Sequence, residues 1–372
     1  TQMWPGLLAT QNTGGPWQSD QSFIIQNNKP SIQFPNPFVT TSQYSGLQGV
    51  TGLNPDFPNE RTQQWSASVG HQIWNTVIDV AYTGTRAQNI PYSQNLNLPH
   101  PSTSPYNPAT VPFPAFTSVL YQQAGGMSGY NGLTVQADRH LSRGLTFNAN
   151  YTWAKALTNV NLRSYNPVPQ QNQYDLQLER ADDPNIRRQQ LRFRFVYELP
   201  VGRGKAFLGG APGVVDQIVG GWQLSGITTM YSGARLSPSF SGTDPANTNQ
   251  FSGRPDRVGN GSIDYSGVTI KNHQPIFDIA DFAQPASGRG YYGNSARYIL
   301  TGPDQITWNS VLSKNFYLLH ERARLQMRLE AFNALNRSNF ANPSTNINSG
   351  AFGVVTYAGA AGSLLLGMRL DY

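Results

Sequence analysis

The feature that most constrains this chain is an alternation of apolar and polar residues with a period of two, repeated in runs of about ten residues. The carboxy-terminal "AGSLLLGMRLDY" places Leu364, Leu366, Met368, Leu370 and Tyr372 on one side, and Ser363, Leu365, Gly367, Arg369 and Asp371 on the other. "LRFRFVYELP" sets Leu191, Phe193, Phe195, Tyr197 and Leu199 against Arg192, Arg194, Val196 and Glu198. "LTFNANYTWAK" opposes Leu145, Phe147, Ala149, Tyr151 and Trp153 to Thr146, Asn148, Asn150 and Thr152. In "RARLQMRLEAFNAL", Leu325, Met327, Leu329 and Ala331 oppose Gln326, Arg328 and Glu330. "QWSASVGHQI" and "TVIDVAYTG" read as a hairpin, with Trp65, Ala67, Val69, His71 and Ile73 on one face of the first run and Ile78, Val80 and Tyr82 on one face of the second. Each run is a strand with unlike faces.

Composition agrees with an all-β chain carrying long polar loops. Of 372 residues, 36 are Gly, 26 Pro and 12% aromatic, and only 12% are charged. Gly, Asn, Ser, Thr and aromatic residues are poor helix formers. The absence of cysteine excludes disulfides and thiolate metal sites. The net charge of +6 is scattered, and no basic run or binding motif supports a nucleic-acid partner. No run approaches the length of a transmembrane helix, but strands with one apolar face would escape that test. The chain begins on Thr1 with no secretory signal, which reads as a processed protein or a fragment.

Residues 1–60 form a loop-rich lead-in, dense in Pro, Asn and Gly. Residues 61–372 hold about nine to eleven strand candidates, including a possible short strand at "FGVVTYA". Short turns near Asn75, Ser142–Gly144, Gly202–Gly204 and His320 alternate with long loops at 87–127, 157–187 and 233–302. The turns are expected at one end of the strands, the periplasmic one, and the loops at the other. A soluble sandwich would give the same alternation, with its apolar faces in a shared core. Turn and loop asymmetry, Trp and Tyr near strand ends, and the aromatic carboxy terminus favour an antiparallel transmembrane β-barrel.

Several segments carry a family resemblance. "YNGLTVQADR", "NYTWAKAL", "YELPVGRGK" and "FNALNRSNF" are individually distinctive, and the similarity runs in order from about residue 54 to Tyr372. They resemble the carboxy-terminal half of Oar-like TonB-dependent outer-membrane receptors, abundant in Acidobacteria and their relatives. Residues 1–53, including "FPNPF", look like the loop preceding that half. The resemblance implies a 22-stranded barrel with an amino-terminal plug, in the outer membrane of a Gram-negative bacterium. It implies outer-membrane lipid and lipopolysaccharide as surroundings, and TonB and the barrel-assembly machinery as partners. About ten strands do not close such a barrel. A missing amino-terminal half or another chain is therefore expected to pair with the edges, since unpaired strands are not viable in lipid. Closure by a strand from residues 1–60 is the alternative. Leu366, Met368, Leu370 and Tyr372 resemble the terminal signature read by the insertion machinery; as a plain girdle residue Tyr372 would look the same.

Catalytic signatures are absent, so no enzyme and no cofactor are expected. His71, His100, His140, His273 and His320 lack metal-site spacing. "GRGYYG" neither follows a clear strand nor opens a helix, which argues against a phosphate loop. Glu179, Asp182 and Asp183 could suggest calcium, but a solvated loop is the better reading. Arg192, Arg194, Glu198, Gln326, Arg328, Glu330 and Arg369 are expected on the barrel lumen, steering an ionic solute or, as favoured here, pairing across neighbouring strands. The function expected is movement of a bulky solute across the outer membrane. A structural, assembly or surface-binding barrel without energised transport is the alternative, and a soluble carbohydrate-binding β protein a third.

Overall fold

The structure is a computed structural model that describes residues 25–26, 29–30, 48–160, 171–260, 271–318 and 323–372. One large sheet dominates. Its strands are β1 (Gln48–Leu53), β2 (Arg61–Ile73), β3 (Thr76–Asn95), β4 (Phe116–Ser142), β5 (Leu145–Thr158), β6 (Gln189–Glu198), β7 (Trp222–Tyr231), β8 (Gln305–Leu318), β9 (Ala323–Phe332) and β10 (Ser363–Asp371). From β2 to β10 each strand pairs with the next in sequence, antiparallel throughout. Strands β6, β7 and β9 have 10 residues each, the length of one tilted membrane crossing.

The alternation seen in sequence stays in phase across the sheet. One row runs Val69, Val80, Val135, Tyr151, Leu191, Met230, Ile306. A lower one runs Leu145, Tyr197, Leu224, Leu312, Leu329, Leu366. The opposite face carries Gly70, Asp79, Gln136, Asn150, Arg192, Thr229, Thr307. A one-residue slip in any pair would mix the apolar and polar faces, so the register is specified throughout.

Chain direction puts the β2–β3, β4–β5, β6–β7 and β8–β9 connections at one end and the remaining connections at the other, as expected. Between β4 and β5, Arg143 and Gly144 have φ of 53° and 79°. Positive φ at both central residues is the type I′ signature, whose twist suits a hairpin. A Cβ on Gly144 would also lie 2.8 Å from the Glu198 carbonyl oxygen. The expected turn at Gly202–Gly204 is broader and includes helix α1 (Gly213–Val219). That at His320 lies outside the described residues.

Four expectations are corrected. The loop expected at 87–127 is about half strand, because β3 runs to Asn95 and β4 starts at Phe116. Pro91 hid this: a proline lacks the ladder donor, and here it sits at register shifts between Gln88, Ile90 and Pro91. "FGVVTYA" forms isolated bridges instead of a strand. Its Phe352 and Val355 are buried in a cluster with Ile276, Phe277, Phe282 and Leu300, the core of a cap made by the loops. The lead-in is not all loop, since β1 pairs in parallel with Phe116–Gln122 of β4; among its described residues it supplies no closing strand, as favoured from sequence. Loop 233–302 is not uniformly irregular: two-residue ladders join 235–236 to 300–301, 240–241 to 252–253 and 256–257 to 282–283.

The sheet itself encloses no apolar core. Among the described residues β2 and β10 each pair on one side only. All thirteen residues of β2 are exposed, and Val69 and Leu364 are 74% and 72% exposed. The terminal strand pairs with "RLQMRLEAF", as expected, with Leu370 opposite Leu325 and Arg369 opposite Gln326.

Candidate functional site

The polar face holds a recess of about 890 Å³. Its chemistry comes from one row of side chains on adjacent strands: Asp138, Asn148 and Arg194, directly opposite one another in turn. The period of two delivers all three to the same face. Asp138 accepts hydrogen bonds from the side-chain amides of Asn148 and Gln136, which orient its carboxylate. His140 and Asn309 add polar edges, while Val196, Ile227, Val311 and Phe332 add apolar wall. A cation, an anion, amides and apolar surface thus converge in one cavity, the usual character of a solute-binding site.

The seven residues expected on the lumen share this face, as the registers require. Only Arg194 lines the recess. The Arg192 guanidinium donates across strands to the Tyr231 hydroxyl at 3.3 Å. The Gln326 amide donates to Asn315 at 3.1 Å. Glu198 pairs with Lys205 at 3.3 Å. Arg328 pairs with Glu330 at 2.9 Å and Arg369 with Asp371 at 2.8 Å. These last two pairs lie within single strands, at positions two apart, so the cross-strand pairing expected from sequence holds for only part of the set. Sequence reasoning missed Asp138, and of His140 it said that it lacks metal-site spacing. The signal was present: Gln136, Asp138 and His140 alternate in "QADRH".

At the loop end of the strands, where Ala181–Asp182 pairs with Leu157–Thr158, buried and half-buried ion pairs hold the loops together. Glu179, 1% exposed, receives both terminal nitrogens of Arg254 at 2.9 Å and lies 3.7 Å from Arg297. Asp182 pairs with Arg188 at 2.7 Å and with Arg235 at 3.0 Å. The backbone N–H and side-chain amide of Asn185 donate to Asp183. The solvated loop expected for these three carboxylates is therefore corrected: they are spent on arginines and turns because the cap buries them. Among the described residues no group of three or more His, Asp or Glu is arranged to hold a metal ion.

A second anchor in the cap is Asp256 with Arg289, whose guanidinium contacts both carboxylate oxygens. The Arg289 hydrogen bond, aided by the Asn294 backbone N–H, holds the Asp256 carboxyl below its ordinary range. A depressed folded-state value means that the pair stabilises the cap above the usual aspartate range. That stabilisation is lost as pH falls through the folded value. Amide exchange around Asp256 and Asn294 is expected to accelerate on acidification below about pH 4. Asp256→Asn should flatten that dependence; an unchanged pH profile in the variant would refute it.

The sequence model of a family described as "Outer membrane beta barrel domain" matches residues 1–369. The chain belongs to this family. The outer-membrane barrel domain accordingly resides in the outer membrane, crossing it with strands. Among its described residues no helix is long and apolar enough to cross.

Three solved structures show a slight likeness to the chain. The outer membrane transporter YddB from Escherichia coli is 9% identical, with a TM-score of 0.41, over 84% of this chain and 33% of that one. The FrpB iron transporter from Neisseria meningitidis is 10% identical, with a TM-score of 0.39, over 86% and 33%. The pyoverdine receptor FpvA from Pseudomonas aeruginosa is 12% identical, with a TM-score of 0.38, over 84% and 30%. The barrel domain spans about a third of the length of these proteins. At these scores the likeness is too slight to bear on function. No curated protein matches the chain.

Proposed function

We propose that this domain forms an arc of a larger TonB-dependent receptor barrel that carries a bulky solute across the outer membrane. The observation that carries the reading is an open sheet with one polar face, in phase over nine strands, holding a recess of mixed charge. Facing follows: Phe147, Tyr151, Phe193, Phe195, Tyr197, Leu325, Leu329, Leu366 and Leu370 meet lipid. Arg192, Arg194, Glu198, Gln326, Arg328, Glu330 and Arg369 meet the lumen, with Asn148 and Asn150. Residues 61–372 supply the barrel strands and 1–60 lead into them. The free edges of β2 and β10 meet strands from outside the described residues, for a strand edge at membrane depth needs a partner. Leu366, Met368, Leu370 and Tyr372 present the terminal strand to the assembly machinery.

The cap's own apolar core favours a second reading, a surface-binding barrel without energised transport. Cells carrying or lacking the protein would be offered labelled iron chelates, oligosaccharides and peptides, with the inner membrane energised or de-energised. Transport predicts periplasmic accumulation that needs both protein and energy, and that falls in Asp138→Asn and Arg194→Gln. Binding that survives de-energising, without accumulation, would favour the second reading.

A further inference from the structure

On the apolar face, at the turn end of the strands, lies a recess of about 680 Å³. Its floor is aromatic: Phe147 and Phe193 have ring centroids 5.9 Å apart, and Phe193 stacks on Phe195 at 5.5 Å. Tyr197 and Leu145 continue the floor toward the turn. At its rim stand Arg139 and Arg143, and no carboxylate lines it.

Arg139 is the anomaly. The register puts it opposite Phe147 and Thr76, on the apolar face, where its row continues into Phe195. Its Nε is buried and has no hydrogen-bond partner. A buried guanidinium N–H without an acceptor is costly, and Arg is suited to bidentate contacts with phosphate. Arg143, held at the corner of the type I′ turn, is exposed beside it. Two cations therefore flank the end of an aromatic trough that runs along the strands toward mid-sheet.

We infer that this recess binds one phospholipid of the periplasmic leaflet, its phosphate between Arg139 and Arg143 and its acyl chains over Phe147, Phe193 and Phe195. The inference rests on the proposed outward facing of the apolar side. Charge complementarity selects the headgroup, and continuity with the rest of the apolar face selects the chains. Basic pockets on the apolar surface of membrane proteins bind lipid headgroups by the same physics. Phosphate oxygens would meet the outer nitrogens of that guanidinium and so compensate its charge, and the aromatic floor gives the chains a fixed surface.

The test uses the whole protein, extracted in mild detergent and offered brominated phosphatidylglycerol or brominated diacylglycerol with the same chains. Two readouts are taken: the ratio of the two lipids retained by the protein, and quenching of tryptophan fluorescence. The wild type is expected to retain the phospholipid in preference. In Arg139→Gln/Arg143→Gln that preference falls by about tenfold, the loss of two charge-assisted contacts. Arg139→Lys keeps part of it. Arg86→Gln, toward the loop end of the same face, leaves it unchanged. Because the readout is a ratio, a poor yield of folded variant does not imitate the effect. Quenching by both lipids with no preference, or a preference untouched by the double variant, overturns the phosphate site alone. Displacement of the phospholipid by inorganic phosphate overturns it too, assigning the arginines to a free anion. No quenching by either lipid overturns the outward facing itself.

Discussion

Glu179→Ala is expected to loosen the cap while leaving the strands paired. Glu179 is the shared anion for Arg254 and Arg297, both nearly buried. Removing it leaves two desolvated cations with carbonyl partners but no counter-charge. Breaking a buried pair in this way costs about 3–5 kcal/mol. The cost falls on the cap, because Arg254 also bonds the Ser295 carbonyl and Arg297 the Asn159 and Glu179 carbonyls, tying residues 159–179 to 254–297. Amide exchange and limited proteolysis in 233–302 should rise together, with exchange in β5 to β7 unchanged. Glu179→Gln keeps an acceptor and should fall between. Replacing Glu179, Arg254 and Arg297 together by apolar residues of similar volume should restore much of the loss. Unchanged exchange in Glu179→Ala would mean that the cluster does not organise the cap.

If the apolar face meets lipid as proposed, Leu329→Arg is expected to destabilise the inserted barrel by about 2–4 kcal/mol, the cost of a cation near the bilayer midplane on such a face. Leu329 sits between Leu312 and Leu366 in the lower apolar row. Its neighbour Arg328 is on the opposite face, paired with Glu330. Arg328→Gln should therefore be mild, since an exposed pair at a wet surface contributes less than about 1 kcal/mol. Denaturant titration in detergent or bilayers, read by loss of heat-resistant mobility, separates the two. Equal effects from two adjacent residues would contradict the facing.

The strands and their faces were legible in the sequence because both depend on a local rule, the period of two. Leu329 and Arg328 differ in environment for no other reason. The ends of the elements were less legible. Pro91 reads as a loop residue, yet a bulge accommodates it, and that bulge depends on the partner strand. Phe352 and Val355 alternate too weakly to distinguish a strand from a buried bridge, and their destination is set by Ile276 and Phe277 far away in the chain. The carboxylates of the 157–187 loop had arginine partners up to 118 residues distant, which no spacing reveals. Asp138 was within reach, being in phase with Gln136; what sequence could not supply was its juxtaposition with Arg194 two strands away.

The order of pairing has a kinetic corollary. From β2 to β10 each strand docks only on the one made just before it, so the sheet can lengthen by one hairpin at a time, like a zipper. No loop need be threaded, and each step closes 30 residues of chain or fewer except across 232–304. Among the described residues one contact breaks that order: β1 joins the far end of β4, which does not exist until two later strands have formed. The first strand of the large sheet in sequence is therefore among the later ones to be fixed. A pulse of labelling early in assembly should find Gln48–Leu53 still open when the β2–β3 hairpin is already protected.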